Sequence, residues 1–216
     1  MYLTSSRLDV MFDVAICSRY QANPKIPHLR AVKRIFNYLR GRPDLGLWYS
    51  NVDDFTFTAY TDSDYGGCGM DRKSTTGGCQ LFGNRLVSWQ CKKQTTVSTS
   101  TTEDEYIAAS SCCSQVLWFQ QQMRDYGLLL TSTPIHIDNT AAISITHNPV
   151  QHSKTKHIEI RYHFIRDCHE KHLIELVRID TLKQKADIFT KAFNKNRFED
   201  LIKMIEMQTL QTLKLK

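Results

Sequence analysis

The sequence FTFTAYTD, residues 55–62, alternates between apolar and polar side chains. It is also rich in aromatic and β-branched residues, so it predicts a β-strand, which ends at Asp62. Two more strands are predicted at residues 77–82 and 85–89, because the Gly-Asn pair at residues 83–84 suits a two-residue hairpin turn. The first three strands are therefore expected to form a meander.

Helices alternate with strands after the meander. The long helix is expected to stop at Gly127, since glycine commonly follows the last helical turn. The predicted elements are a helix at residues 102–126, a strand at 134–138, a short helix capped by Asn139 or Thr140 and ended by residues 148–149, a helix at 156–171, a strand at 173–179, a helix at 185–193 and a last helix from Arg197. This order predicts an α/β fold in which helices flank a mixed five-stranded sheet.

The N-terminal region predicts two further helices, at residues 9–22 and 28–40, which prolines separate. The region is too short for an independent domain. The full length of 216 residues suits one ordinary domain, or one domain with an incomplete neighbour. We therefore divide the chain into residues 1–50, 51–195 and 196–216, with the α/β domain in the second part and a helical extension in the third.

Charge is distributed unevenly along the chain. Residues 1–50 carry a net charge of +5, residues 51–150 a net −4 and residues 151–216 a net +5. An acidic centre between basic flanks suits a site where carboxylates collect metal ions and basic surface holds a polyanion. Scattered surface charge without a function is the alternative.

The composition also bears on the location of the protein. The seven cysteines are odd in number and contain no CxxC pair, which favours a reducing, intracellular compartment over a disulfide framework. The first residues do not resemble a signal peptide. No stretch approaches the roughly 20 apolar residues of a membrane helix, so we expect no membrane association.

Four acidic residues fall where the predicted strands end or helices begin: Asp62, Glu105, Asp138 and Asp187. Binding sites of open α/β sheets gather at these positions. Carboxylates that are brought together repel one another unless cations neutralise them, and hard oxygen ligands suit Mg²⁺ or Mn²⁺. Two such ions, about 4 Å apart, would activate a water and stabilise the leaving oxygen of a phosphodiester.

Each acid also has a purely local explanation. Glu105 closes the run TEDE, residues 102–105, which is typical of a capping box at a helix start. Asp187 suits a helix N-terminus through the helix dipole, and Asp138 suits a turn. Asp62 suits a loop. The local patterns therefore leave both explanations open for every one of the four.

Larger motifs surround the four acids. In chain order they are YTDSDYGG (60–67), DRKSTTG (71–77), VSWQCKKQ (87–94), STTEDEYIAA (100–109), IDNTAAI (137–143), KHIEIRYHFIR (156–166) and ADIFTK (186–191). Together they resemble, in the same order, the motifs of the ribonuclease H of copia-type LTR retrotransposons. The resemblance covers roughly residues 55–195.

The resemblance implies a ribonuclease H-like fold and hydrolysis of the RNA strand of RNA/DNA hybrids. It implies that two Mg²⁺ ions, or Mn²⁺ in their place, are bound by Asp62, Glu105, Asp138 and Asp187. A shifted alignment would instead select Asp64, and Glu103 or Asp104. Four basic residues at family-like positions are our candidates for contacts with nucleic-acid phosphates: Arg72, Lys73, Lys92 and Lys93.

The N-terminal region extends the resemblance. YLTSSRLDV (2–10) and AVKRIFNYLRG (31–41) are similar to the helical segment between the polymerase and the ribonuclease H of these elements. Residues 1–50 are therefore expected to be a remnant of the reverse transcriptase thumb or connection. NVDD (51–54) lacks the tyrosine of a polymerase motif, so we expect no polymerase active site.

The implied partners are an RNA/DNA hybrid and the polymerase portion of a retrotransposon Pol protein. The implied location is the cytoplasm, within a virus-like particle if the element is active, with the nucleus as the alternative. Two other functions stay open: a catalytically inactive relic or nucleic-acid-binding module that retains the fold, and an integrase-type transferase, which the motif order disfavours. Five histidines between His152 and His172 lack cysteine pairs at zinc-site spacing, so we expect no zinc site.

Overall fold

The computed structural model describes residues 2–51, 54–147 and 159–210. Within these residues the chain forms seven strands and six α-helices. The strands are β1 Leu45–Leu47, β2 Phe57–Asp64, β3 Thr75–Phe82, β4 Arg85–Lys93, β5 Thr133–Ile137, β6 Ile174–Arg178 and β7 Met207–Thr209. The helices are α1 Met11–Ser18, α2 Ile26–Gly41, α3 Thr101–Asp125, α4 Thr140–His147, α5 Glu159–Glu170 and α6 Lys195–Met204.

The main sheet has five strands in the order β4-β3-β2-β5-β6. Strands β2, β3 and β4 pair antiparallel, whereas β5 and β6 run parallel to β2. Gly83 and Asn84 join β3 to β4, and both have a positive φ, as the predicted hairpin turn requires. The predicted α/β class, a mixed five-stranded sheet with flanking helices, is confirmed.

Two apolar clusters hold the helices to the sheet. The first joins Phe57 and Ala59 of β2 to Tyr106 and Val116 of α3. Strand β2 buries alternate residues from Phe57 to Thr61, so its period-two pattern in the sequence reflects this packing. Helix α3 lies across the sheet and thereby fixes where its first turn falls relative to the end of β2.

The second cluster includes residues from the N-terminal region and from the C-terminal extension. Leu8 is fully buried in it together with Leu81 of β3 and Leu201 of α6. Strand β1 pairs antiparallel with β7, and the Trp89 Nε1–H donates to the Thr4 carbonyl at 2.8 Å. Residues from all three predicted parts therefore share one core, and the assignment of separate functions to those parts stays a prediction.

The structure corrects the helix predicted at residues 185–193. A short 3₁₀ helix, Lys185–Phe189, stands there instead. The Gln184 side chain accepts from the Ala186 N–H, and the Thr190 N–H donates to the Asp187 carbonyl, which ends the turn early. Residues 186–189 are buried, so packing against the sheet outweighs their helical pattern.

Two other helices also differ from prediction. The last helix ends at Met204, and the chain then turns at Glu206, whose φ is +60°, and continues as β7. Burial of Met207 beside β1 accounts for the change from helix to strand. The first predicted helix is divided into a 3₁₀ turn, Leu8–Val10, and α1.

Several predicted features lie outside the described residues. They are the helix end at residues 148–149, the start of the next helix at 156–158, part of the NVDD segment at 52–53, and His152 and His157. All seven cysteines are described, and each is a free thiol. Among the described residues, no helix combines the length and the apolar character that crossing a membrane requires.

Candidate metal centre

Three of the four predicted acids converge at one end of the sheet. Asp62 lies in β2, Glu105 lies in the first turns of α3, and Asp138 directly follows β5. One carboxylate oxygen from each lies within 4.8 Å of the others. Three hard oxygen ligands at this spacing can hold a divalent cation such as Mg²⁺.

Burial makes two of these carboxylates, Asp62 and Glu105, costly to ionise without a cation. Asp62 is 2% exposed and Glu105 is 6% exposed. Burial raises the pKa of Asp62 to about 7, and the charge of Asp187 adds to the rise while Lys191 opposes it. Burial also raises the pKa of Glu105 to about 9, together with the negative charges of Asp62 and Asp138. A bound cation would favour the ionised forms of both groups.

A backbone contact orients Glu105 toward the acidic cluster, which is formed by Asp62, Glu105 and Asp138. Its Oε1 accepts from the Ser63 N–H at 3.2 Å. Among the described residues its Oε2 is buried and has no hydrogen-bond partner. A buried carboxylate oxygen without a partner is costly unless an ion or a water satisfies it, which fits the donor set of a metal centre.

Helix α3 is capped by other residues than Glu105. The Ser100 side chain accepts from the Glu103 N–H, and the Glu103 carboxylate accepts from the Thr99 N–H at 2.7 Å. The capping box therefore belongs to Glu103, and the local explanation for Glu105 is wrong. Two residues later along the helix, the Glu105 side chain points away from the cap and toward β2.

A similar division holds at the end of β5. Asn139 caps α4, because its Oδ1 accepts from the Ala141 N–H at 2.9 Å and from the Ala142 N–H at 3.2 Å. Asp138 is left to face the cluster, where the Thr181 hydroxyl donates to its Oδ2 at 3.1 Å.

The fourth predicted acid, Asp187, lies beside the cluster and contacts two cations. Its Oδ1 is 2.7 Å from the Lys191 Nζ, and its Oδ2 is 3.0 Å from the Arg197 guanidinium. The Lys191 Nζ is also 3.4 Å from the Asp62 Oδ2. Asp187 is therefore not part of the group of three converging carboxylates. It is connected to one of them, Asp62, through the ammonium of Lys191.

Sequence reasoning missed the residues that hold Asp62 and Asp187. The Thr190 hydroxyl donates to the Asp62 Oδ2, and Lys191 bridges the two carboxylates. Both residues belong to the ADIFTK motif, residues 186–191, so their closeness to Asp187 in the sequence could have indicated that they contact it. Arg197 lies in the following helix and had no such signal.

The alternative ligands lie apart from the cluster. Asp64 accepts from the Gly67 N–H at 3.0 Å and so closes a turn after β2. Glu103 serves the helix cap, and Asp104 is buried with its Oδ1 near the Ser98 hydroxyl, at 3.4 Å. In the described residues, the group of ligand atoms close enough to share an ion contains Asp62, Glu105 and Asp138.

The four predicted phosphate-binding residues lie on two neighbouring segments. Arg72 is exposed in the turn before β3, and Lys73 is half-buried beside it. Lys92 and Lys93 end β4, and Lys93 forms an ion pair with Asp71 at 2.7 Å. The two lysines also line a polar cavity of about 160 Å³, together with Ser110, Ser111, Ser114 and Arg161.

Comparisons with known sequences find related retrotransposon proteins. The chain is 34% identical over 207 residues to the retrovirus-related Pol polyprotein from transposon TNT 1-94 of Nicotiana tabacum. It is 35% identical over 205 residues to the corresponding polyprotein from transposon RE1 of Arabidopsis thaliana. The matches cover 96% and 94% of this chain, but only 16% and 14% of those polyproteins. No family model matches the chain.

A comparison with solved structures finds LC11-RNase H1 in complex with RNA/DNA hybrid. The TM-score is 0.48 at 14% identity, and the match covers 62% of this chain and 94% of that chain.

Proposed function

Because the chain belongs to the copia-type retrotransposon Pol family, we propose that it is a ribonuclease H that hydrolyses the RNA strand of RNA/DNA hybrids during reverse transcription. The observation that supports this most directly is the convergence of Asp62, Glu105 and Asp138 within 4.8 Å. Their positions, at strand ends and a helix start, are those at which the sequence motifs predict metal ligands.

The three converging carboxylates suit a divalent ion such as Mg²⁺, with Mn²⁺ as the alternative, and our proposal adds a second ion at Asp187. In this proposal Asp62 is shared between both ions, Glu105 and Asp138 hold one, and Asp187 holds the other. When bound, the ions would activate water and stabilise the leaving 3′ oxygen, which yields a 3′-hydroxyl and a 5′-phosphate. The protein contributes by holding Asp62 in place through the Thr190 hydroxyl and by keeping Glu105 buried beside it.

Basic residues next to the centre would hold the hybrid. Lys92 and Lys93 line a polar cavity with Arg161, and hydroxyls of α3 lie on its other side. Lysine and arginine neutralise phosphates without regard to base sequence. We assign phosphate contacts to Lys92 and Lys93, and to Arg72 and Lys73 in the adjacent turn. Recognition of the hybrid would then depend on groove shape and 2′-hydroxyl contacts.

The relatives also suggest where the activity is used. The chain spans about one sixth of the length of the Pol polyproteins that it matches. We propose that the polymerase portion of such a polyprotein is its partner, since a polymerase supplies the hybrid that a ribonuclease H degrades. The cytoplasm, within a virus-like particle, is the location that follows from this proposal.

A cleavage assay with a matched pair of variants tests the function. Labelled RNA/DNA hybrid is incubated with Mg²⁺ and with the wild-type chain, Asp62→Asn or Asp64→Asn. We expect Asp62→Asn to lose roughly a hundredfold to a thousandfold in rate, as removal of a central electrostatic group does. Asp64→Asn keeps the acceptor for the Gly67 N–H and should cleave at close to the wild-type rate. Equal rates for wild type and Asp62→Asn would refute the assignment of the site.

Binding, cleavage and strand-transfer measurements on the same variants distinguish the alternative functions. Binding of the hybrid without metal-dependent cleavage would identify an inactive relic or a nucleic-acid-binding module. Joining of a labelled DNA end to a second duplex would identify an integrase-type transferase. Cleavage confined to the RNA strand of the hybrid, with duplex DNA left intact, is the result that the proposal expects.

A further inference from the structure

Lys191 lies between the two carboxylates that a second metal ion would share. Its Nζ is 2.7 Å from the Asp187 Oδ1 and 3.4 Å from the Asp62 Oδ2. Both carboxylates are 2% exposed, whereas the lysine side chain is 37% exposed. The ammonium thus reaches inward from the surface to neutralise two buried acids.

A divalent ion placed between Asp62 and Asp187 would occupy the position of the ammonium, which contacts the Asp62 Oδ2 and the Asp187 Oδ1. The Asp187 Oδ2 pairs with Arg197 at 3.0 Å, and its buried Oδ1 has the Lys191 ammonium as an ion-pair partner but no hydrogen bond within the described residues. The Arg197 guanidinium is further held by the carbonyls of Leu182, at 2.7 Å, and Thr181, at 3.1 Å. The arginine is therefore fixed, and the lysine is the cation that has to move.

The structure provides room for that movement. A cavity of about 410 Å³ lies beside Lys191 and is lined by Asp13 and Ile16 of α1 and by Phe193. The ring of Phe193 lies 5.9 Å from the Lys191 Nζ, within the range of a cation–π contact. An ammonium displaced from Asp62 and Asp187 would find a carboxylate and an aromatic ring in this cavity.

We propose that Lys191 is a built-in competitor of the second metal ion. This inference rests on the proposed two-metal ribonuclease H. The first ion binds to Asp62, Glu105 and Asp138 while Lys191 remains in place, and the second ion binds only when Lys191 leaves Asp62 and Asp187. Lys191 therefore sets the metal concentration at which the second position is filled.

Titration of the metal-free protein with Mn²⁺, followed by calorimetry and by the spin resonance of free Mn²⁺, tests this without nucleic acid. The wild-type chain is expected to bind one ion tightly and a second ion weakly. Lys191→Met removes the charge and keeps much of the side-chain volume, so it should tighten the second binding step by about tenfold or more. Lys191→Arg retains the charge and should leave the second step weak.

Lys195→Met is the matched control, because Lys195 is exposed in α6 and its loss changes the net charge equally. Circular dichroism shows whether each variant is folded. An unchanged second step in folded Lys191→Met, or equal tightening in Lys195→Met, would overturn the inference. If the second step tightens as expected but no variant cleaves the hybrid, the proposed ribonuclease activity fails and the competition by Lys191 stands.

Discussion

At the level of single residues, adjacent polar side chains have separate tasks around the metal centre. Glu103 caps α3 while Glu105 faces the cluster, and Asn139 caps α4 while Asp138 faces the cluster. Side chains two positions apart on a helix point in nearly opposite directions, so one cannot serve both purposes. Local capping signals and metal ligands therefore coexist in the same motif.

Glu105→Gln is predicted to stabilise the metal-free protein at pH 8. Burial raises the pKa of Glu105 from its ordinary 4.5 to about 9, so its contribution to stability is complete below about pH 4.5 and is lost as the pH rises through about 9. The neutral amide avoids that loss. Thermal unfolding in EDTA should show a gain of up to about 5 kcal/mol at pH 8 and little change at pH 4.5, since one pKa unit corresponds to about 1.4 kcal/mol and pH 8 lies roughly 3.5 units above the ordinary pKa.

Glu103→Gln serves as the control for that experiment, because it changes the helix cap and leaves the cluster intact. It should show no comparable gain at pH 8. A loss of stability in Glu105→Gln at pH 8 would contradict the inference that burial of the Glu105 carboxylate destabilises the metal-free protein.

Gly77→Ala is predicted to disturb Asp62 without touching it. An added Cβ at Gly77 would lie 2.5 Å from the Thr190 Cγ2 and 2.9 Å from the Ala186 carbonyl oxygen. Because the Thr190 hydroxyl donates to Asp62, its displacement should reduce cleavage at least about tenfold and cost about 1–3 kcal/mol in stability. Gly46→Ala, where nothing lies within 4 Å, should leave both unchanged. Rate measurements and chemical denaturation of the two variants check this.

Among the elements, the short terminal segments contribute more to the fold than their length indicates. Helix α1 reaches the sheet, since the Arg19 guanidinium donates to the Thr75 hydroxyl at 2.9 Å. Arg42, just after α2, forms an ion pair with Glu199 of α6. These contacts, with the pairing of β1 and β7, attach the N-terminal region to the domain that carries the metal centre.

Leu8→Ala is predicted to destabilise the whole fold by about 2–5 kcal/mol, the usual cost of truncating a fully buried leucine. The variant should unfold in one transition at a lower urea concentration, with the five-stranded sheet and the N-terminal region lost together. Tyr2→Ala is the comparison, since Tyr2 is 98% exposed. A separate early transition in Leu8→Ala, with the sheet still folded, would show instead that the N-terminal region is an independent unit.

For the molecule as a whole, metal binding and stability are predicted to be linked through pH. Asp62 and Glu105 have raised pKa values, about 7 and about 9, so ions must displace protons from both at pH 5 but mainly from Glu105 at pH 8. Mg²⁺ at about 100 times its Kd should raise the stability by about 2.7 kcal/mol, or roughly 5–10 °C in Tm. The same Mg²⁺ concentration should have much less effect at pH 5, where the carboxyls keep their protons.

Differential scanning calorimetry at pH 5 and pH 8, with and without Mg²⁺, measures this linkage. Asp62→Asn should abolish most of the increase at pH 8. An equal rise of Tm at both pH values would mean that the ion binds elsewhere than at the buried carboxylates.

The five-stranded sheet and its principal helices could be predicted because their periodicity is local. The burial of strand β2 alternates along residues 57–61, and α3 ends before Gly127, so each pattern is contained in one short stretch. The positions of Asp62, Glu105 and Asp138 followed from the same patterns, since each stands at the end or the start of such an element. Phosphate contacts by Arg72, Lys73, Lys92 and Lys93 remain a prediction.

Features that depend on contacts between distant residues could not be predicted. The turn at residues 185–189 has a helical pattern, but its burial against Gly77 of β3 selects a 3₁₀ form. Pairing of β1 with β7 joins segments about 160 residues apart, and no local pattern encodes such a contact. The ion pair of Lys191 with Asp62, between residues 129 positions apart, arises in the same way. The sequence thus specified which acids stand at the sheet end, whereas packing determined that three of them converge and that a lysine separates the fourth from Asp62.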